Sequence, residues 1–146
     1  MDTITKQSNR RHRGTTVVEA AFVLPVLLML TLGAIEYGWL FLNAHWITNA
    51  ARQGARIAIV DGERLVMEAQ ARAVVTQMLA DAHLDDDHPI VSVMPEPIPG
   101  DPAGRLAEAV YIIVPTADLL IINAPLLFPT PATLRAKVTM AREGSL

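Results

Sequence analysis

An α+β fold is what this sequence predicts: a long apolar N-terminal helix continuing as an amphipathic one, a second helix, then a small antiparallel sheet of about three strands. Three observations carry that expectation. From Thr15 to Leu42 the only ionisable side chains are Glu19, Glu36 and the phenol of Tyr37. Between Ala44 and Ala82 apolar residues recur at helical spacing. Beyond Ile90, β-branched runs are separated by Pro/Gly-rich chain and end in a period-two pattern. With 146 residues there is room for one domain beside the helix. The expected division is a basic leader at 1–14, a transmembrane helix at 15–42 and a domain outside the membrane at 43–146.

The first helix rests on length and charge. At 1.5 Å per residue, Ala20 to Ile35 covers about 24 Å, and the flanking apolar residues on both sides complete a hydrocarbon core of about 30 Å. Before it stand Lys6, Arg10, Arg11 and Arg13, opposed only by Asp2. The positive-inside rule therefore keeps the N-terminus cytoplasmic and exports the rest. A cleavable secretory signal fits less well. The apolar core is longer than 7–15 residues, contains Pro25, and ends in Glu36-Tyr37-Gly38-Trp39 without a small-x-small site. Pro25 is tolerated in a membrane helix, where it favours a kink. Gly33 and Gly38 allow close helix approach.

Two carboxylates interrupt this apolar stretch. Glu19 lies one turn inside it, where a charge costs on the order of 2.5–3.5 kcal/mol at mid-bilayer and less near the interface. It either caps the helix start, favoured by the macrodipole, or has a partner. Glu36 is expected near the outer interface, beside the aromatic anchors Trp39 and Trp46. It either reaches headgroup water or pairs in an assembly.

Past the membrane, Ala44, Ile47, Ala51, Gly54/Ala55 and Ala58 form a narrow stripe of mostly small side chains, suited to close packing. Arg52 and Arg56 lie one turn apart on the polar flank, as a solvated face or a partner contact. Asp61-Gly62 breaks the helix. From Glu63 to about His83 a second helix is expected, with Met67, Ala71, Val74, Val75, Met78 and Ala82 on one face and Glu68–Arg72 as an i,i+4 pair. An acidic turn, residues 83–89, ends the helical part. Strands are expected at Ile90–Met94, at Arg105–Val114 and around Leu134–Met140, with a Pro/Gly-rich loop from Pro95 to Gly104. The connection between the last two strands carries Leu119-Leu120-Ile121-Ile122 and Leu126-Leu127-Phe128-Pro129, so residues 116–130 are either core or a contact patch.

No nucleotide loop, zincin motif or nucleophile elbow is present, and no catalytic or cofactor-binding residues are expected. His83, Asp85, Asp86, Asp87 and His88 are the one cluster with metal-ligand chemistry. The histidines are five apart rather than four, and three consecutive aspartates suit a solvated turn, so no metal is expected. A net charge of −3 argues against non-specific nucleic-acid binding. There are no cysteines, so no disulfide supports the exported part.

Three blocks in order carry a resemblance. Arg13-Gly14-Thr15-Thr16-Val17-Val18-Glu19-Ala20-Ala21-Phe22-Val23-Leu24-Pro25 is the first. Gly33-Ala34-Ile35-Glu36-Tyr37-Gly38 is the second, and Thr48-Asn49-Ala50-Ala51-Arg52-Gln53-Gly54-Ala55-Arg56 the third. Together they resemble the TadE-like pseudopilins of the tight-adherence (Tad, type IVc) pilus and secretion apparatus. One departure is Ala20, where an aromatic residue often follows the glutamate. The resemblance implies cleavage between Gly14 and Thr15 by a prepilin peptidase and residence in the bacterial inner membrane. It also implies assembly with other pilins and the pilus assembly platform, in support of adherence. In that setting Glu19 would pair with a freed Thr15 amine and set subunit register, with Glu36, Arg52 and Arg56 as secondary assembly contacts. Two rivals predict otherwise. An uncleaved signal-anchor protein presenting a small binding domain would keep residues 1–14. An exported metal-dependent factor would need His83 and His88.

Overall fold

The structure, a computed structural model, describes residues 11–86, 88–98, 100–101, 106–117, 119–122 and 129–141. Side chains are described from Thr16 onward. Its elements run α1 (Arg11–Ala58), α2 (Arg64–Asp81), β1 (Ile90–Pro97), β2 (Leu106–Pro115) and β3 (Thr133–Ala141). The fold class is the α+β arrangement expected from the sequence.

Helix α1 has 48 residues, a length of about 70 Å. Its Ala and Leu residues favour the helix, and Pro25 stands inside it without ending it. Every residue from Thr16 to Leu32 is exposed. From Gly33 onward one stripe is buried: Gly33, Glu36, Leu40, Asn43, Ile47, Ala50/Ala51, Gly54/Ala55 and Ala58. The steps of three and four are those of one helix face laid against a core. The chain breaks at Ile59–Gly62, where Asp61-Gly62 was expected to end the helix.

Helix α2 returns along α1 and packs Ala71, Val75 and Leu79 inward. Leu79 joins the face expected from the sequence, while Met67, Val74, Met78 and Ala82 lie half-buried at its margins. The two helices meet at Gly54, where an added Cβ would stand 2.5 Å from Val75 Cγ2. Only glycine permits that approach without a shift.

The end of α2 is a Schellman motif. His83 N–H donates to Ala80 O at 2.9 Å and Leu84 N–H to Leu79 O at 2.8 Å. His83 occupies the left-handed position with φ 56°, and Leu84 is buried at 1% exposure beside Leu79. The apolar contact that usually accompanies the motif is therefore present.

The three strands form one antiparallel sheet in the order β1-β2-β3. Its inner face presents Val93, Val110, Ile112, Val114 and Ala136. Helix α1 lies across β2 and β3, and α2 lies against β1. Strand β3 alternates as its sequence does, with Leu134, Ala136, Val138 and Met140 inward.

Two expectations are corrected. Strand β1 continues through Pro95 and Pro97, paired with Glu108 and Leu106, so the loop starts later than Pro95. An edge strand tolerates proline because a missing N–H on its open side breaks no ladder bond. The Glu68–Arg72 pair does not form. Glu68 pairs with Arg64 at 2.9 Å, and Arg72 Nη1 donates to Val91 O at 2.8 Å, tying α2 to β1. Arg105, at the expected start of β2, lies outside the described residues, as do residues 123–128 of the last connection.

Candidate functional site

The candidate site is α1 itself, divided into a free half and a packed half. Gly14 and Thr15 lie within the first turns of the helix. Glu19 is exposed one turn further on. Around and above it, Phe22 at 75%, Leu30 at 68% and Leu27 at 61% exposure are the kind of large apolar surface that water does not tolerate uncovered. The most apolar window of the helix has a mean hydropathy of 2.2. One apolar helix near the N-terminus, left bare by its own domain, fits a single-pass membrane anchor.

Where the packed half begins, Glu36 is the most unusual side chain. It is 1% exposed, although the sequence suggested headgroup water or an assembly partner. Its carboxylate accepts two backbone hydrogen bonds, from Ile121 N–H at 3.2 Å and from Ile122 N–H at 3.0 Å. The next residue acts on the other side of the same connection: Tyr37 OH donates to Pro129 O at 2.7 Å. Thr116 closes the base, with its N–H on Ala132 O at 3.1 Å and its hydroxyl on Pro131 O. Glu36 and Tyr37 thus strap the β2–β3 connection to α1. Leu119 in this connection is buried and Ile121 is 58% exposed, so it contributes both core and surface.

Arg52 and Arg56 are exposed on the outer face of α1, together with His45, Asn49 and Gln53. Trp39 and Trp46 also face outward, at 41% and 47% exposure. Gly38 faces open space. The structure does not bring Arg52 or Arg56 near Glu19: 33 residues of helix separate Glu19 from Arg52, or about 50 Å.

On the outer sheet face Glu96 gathers a cross-strand cluster. Lys137 Nζ donates to it at 2.6 Å and Tyr111 OH at 3.2 Å. The hydrogen bond from Lys137 holds the Glu96 carboxyl below its ordinary value, outweighing the opposing loss of solvent, with Tyr111 and Thr139 adding smaller effects in the same direction as the lysine. Glu96 in turn raises Lys137. Lys137 also stands 5.2 Å from the Tyr111 ring centre. The Glu96–Lys137 pair reaches over β2 from one edge strand to the other, with Tyr111 of β2 between them, and such side-chain contacts across an exposed face are ordinary sheet support.

The His83–His88 turn has a backbone explanation. His83 and His88 both adopt positive φ, and His83 supplies the cap of α2. Among the described residues, no group of three or more His, Cys, Asp or Glu is placed to hold a metal ion. Asp87 lies outside the described residues.

Residues 14–56 match the family model for TadE-like protein. The match bears out the resemblance drawn from the three sequence blocks. It runs from Gly14, through the free half of α1 and the Glu36 strap, to Arg56 near the end of the packed half. TadE-like proteins are structural components associated with the tight-adherence pilus, and the TadE-like segment here is one continuous helix. No curated protein and no solved structure matches the chain.

Sequence reasoning named two residues of this arrangement without their roles. Gly54 was legible only as one member of a small-residue stripe. Glu36 was singled out, but its partners are backbone amides 85 and 86 residues away, which no side-chain pattern announces.

Proposed function

We propose that this chain is a minor pilin-like (pseudopilin) subunit of a tight-adherence pilus and secretion apparatus. It is anchored once in the bacterial inner membrane, with the N-terminus cytoplasmic and the globular part outside. A prepilin peptidase cuts between Gly14 and Thr15. Subunits then associate with other pilins and the assembly platform through the free half of α1, in support of pilus biogenesis and adherence.

One observation carries this reading: the TadE-like match starts at Gly14, and the helix that follows is bare on all sides from Thr16 to Leu32. A subunit built to bundle through its N-terminal helix needs such a bare segment, held away from its own core. Glu19 then has work to do. An unpaired carboxylate in a bundle of low dielectric is costly, and the Thr15 amine freed by cleavage relieves it only when neighbouring subunits are in register. The charge selects alignment more than it adds affinity. Arg52 and Arg56, exposed on the outer face of α1, are secondary contacts in the same assembly.

The test is a pair of variants in cells that make the apparatus. Gly14→Ala is expected to keep residues 1–14 and to stay out of the sheared pilus fraction. Glu19→Ala is expected to be cleaved but to assemble poorly. Assembly of Glu19→Ala at wild-type levels would remove the register role. Normal assembly of uncut Gly14→Ala would return the uncleaved anchor to favour.

A further inference from the structure

Beside the strap lies a groove between α1 and the chain entering β3. It is lined by Tyr37, Leu40, Phe41, Ala44, Pro131 and Leu134 and has a volume of about 220 Å³. None of these side chains is charged, and the one polar group among them, the Tyr37 hydroxyl, is engaged with Pro129 O. We propose that this groove takes a phospholipid acyl chain from the outer leaflet, so that the domain rests in the membrane surface rather than standing clear of it. The inference rests on the single-pass membrane reading.

Three observations point to lipid. The first is the length of uncharged surface. From Ala20, the first residue past Glu19, to Ala44, just before His45, α1 exposes no charged side chain, because Glu36 is buried. That is about 36 Å of helix, longer than a hydrocarbon core of about 30 Å. Tyr37 and Leu40 stand about 26 and 30 Å above Ala20, so the groove opens at the acyl–headgroup boundary. Phe41 on its wall is 67% exposed, on the same helix whose free half below is bare.

The second observation is the treatment of polar side chains along this stretch. Thr31, exposed on the free half, donates its Oγ1 to Leu27 O at 2.8 Å, while Asn43, at the level of the groove, is buried in the domain and donates Nδ2 to Trp39 O at 3.1 Å. Neither group asks the surroundings for a partner, which is the condition an apolar medium sets.

The third is the strap. Irregular backbone is excluded from an apolar medium unless its polar groups are satisfied within the protein. Here Glu36 takes the Ile121 and Ile122 N–H groups, Tyr37 serves Pro129 O, and Thr116 serves Pro131 O and Ala132 O. The described residues of the connection so furnished can lie at the membrane surface, where the exposed Ile121 meets it. Glu36 is thereby the group that makes this position affordable.

The chain has no cysteine, which makes the test direct. The full chain is placed in phosphatidylcholine/phosphatidylglycerol nanodiscs at one copy per disc, with bimane on a single introduced cysteine. The quencher is phosphatidylcholine carrying a nitroxide on its acyl chain. Val23→Cys reports the membrane helix and Gln53→Cys the aqueous part of α1. Leu134→Cys and the more exposed Phe41→Cys report the groove from its two walls. Both groove labels are expected to lose most of their emission, as Val23→Cys does, while Gln53→Cys keeps it. Emission is compared between discs with and without the nitroxide, and adding Ala44→Phe, which fills the groove without an indole that itself quenches bimane, is expected to restore that ratio at Leu134→Cys without changing it at Val23→Cys. Quenching of Val23→Cys alone, with both groove labels behaving like Gln53→Cys, would overturn the proposal and leave the anchor intact. Groove labels unquenched in single-copy discs, but shielded from aqueous iodide once several copies share a disc, would assign the groove to a second copy and likewise overturn it. Loss of quenching at Val23→Cys would sink the membrane reading itself.

Discussion

The two halves of α1 are equally helical, yet one is apolar on every side and bare, while the other is amphipathic and a core element. Below Gly33 the helix carries Phe22, Val23, Leu24, Leu27, Leu28 and Leu30, all more than half exposed. Above it the buried stripe is dominated by Ala50, Ala51, Gly54, Ala55 and Ala58. Side-chain size and polarity together make the difference: the packed half has small residues on one face and His45, Asn49, Arg52, Gln53 and Arg56 on the other. Small residues let α2 and the sheet approach the helix axis closely, while bulky ones on every side leave a cylinder that suits lipid or neighbouring helices. The boundary is marked by Glu36, a carboxylate that fastens the sheet's last connection to the helix one turn above Gly33, where burial begins.

That contrast can be broken most severely at the boundary. Glu36→Ala leaves two backbone N–H groups without their acceptor and is expected to destabilise the domain by about 2–4 kcal/mol. Chemical denaturation of the full chain in detergent micelles measures it, and proteolysis should become faster within the β2–β3 connection. Glu36→Gln keeps one acceptor oxygen and should lose less. Equal losses for the two variants would mean that the strap is incidental.

A smaller effect is expected in the packed half. Gly54→Ala drives a Cβ against Val75 and should cost about 1–3 kcal/mol. Combining it with Val75→Ala should recover part of the loss, since residues in contact are not additive. His83→Gly sharpens the account in the opposite direction. It removes the strain of a left-handed histidine at the end of α2 and should stabilise the domain by about 1 kcal/mol. The smallest effect belongs to the free half: Phe22→Ala, at 75% exposure, should leave domain stability within about 0.5 kcal/mol. A large loss there would show that the bare half contributes to the fold after all.

Much of this fold was legible because its signals are local. The charge-poor run gave α1, helical spacing gave α2, and strict alternation gave β3. Strand β1 was read too short because Pro95 and Pro97 look like breakers until it is known that the strand lies at an edge. The Glu68–Arg72 pair was read from spacing alone, but Arg72 found a strand carbonyl and Glu68 found Arg64, one turn in the other direction. Of the candidate site, Gly14 and Glu19 were legible as a spacing and Glu36 as an anomaly. The role of Glu36 in the fold was not legible, because a carboxylate that binds backbone N–H groups across the chain has no partner residue type to search for. His83 illustrates the same limit: a histidine in an acidic turn suggests ligand chemistry, while its backbone is closing a helix.

The central claim is that the bare half of α1 becomes the start of a processed subunit, and N-terminal sequencing tests it most directly. The membrane-associated protein would be sequenced from cells with and without a prepilin peptidase. The account predicts a chain beginning at Thr15 only when the peptidase is present. A chain that keeps Arg10–Gly14 in both strains would contradict it and leave Glu19 without a freed amine to meet.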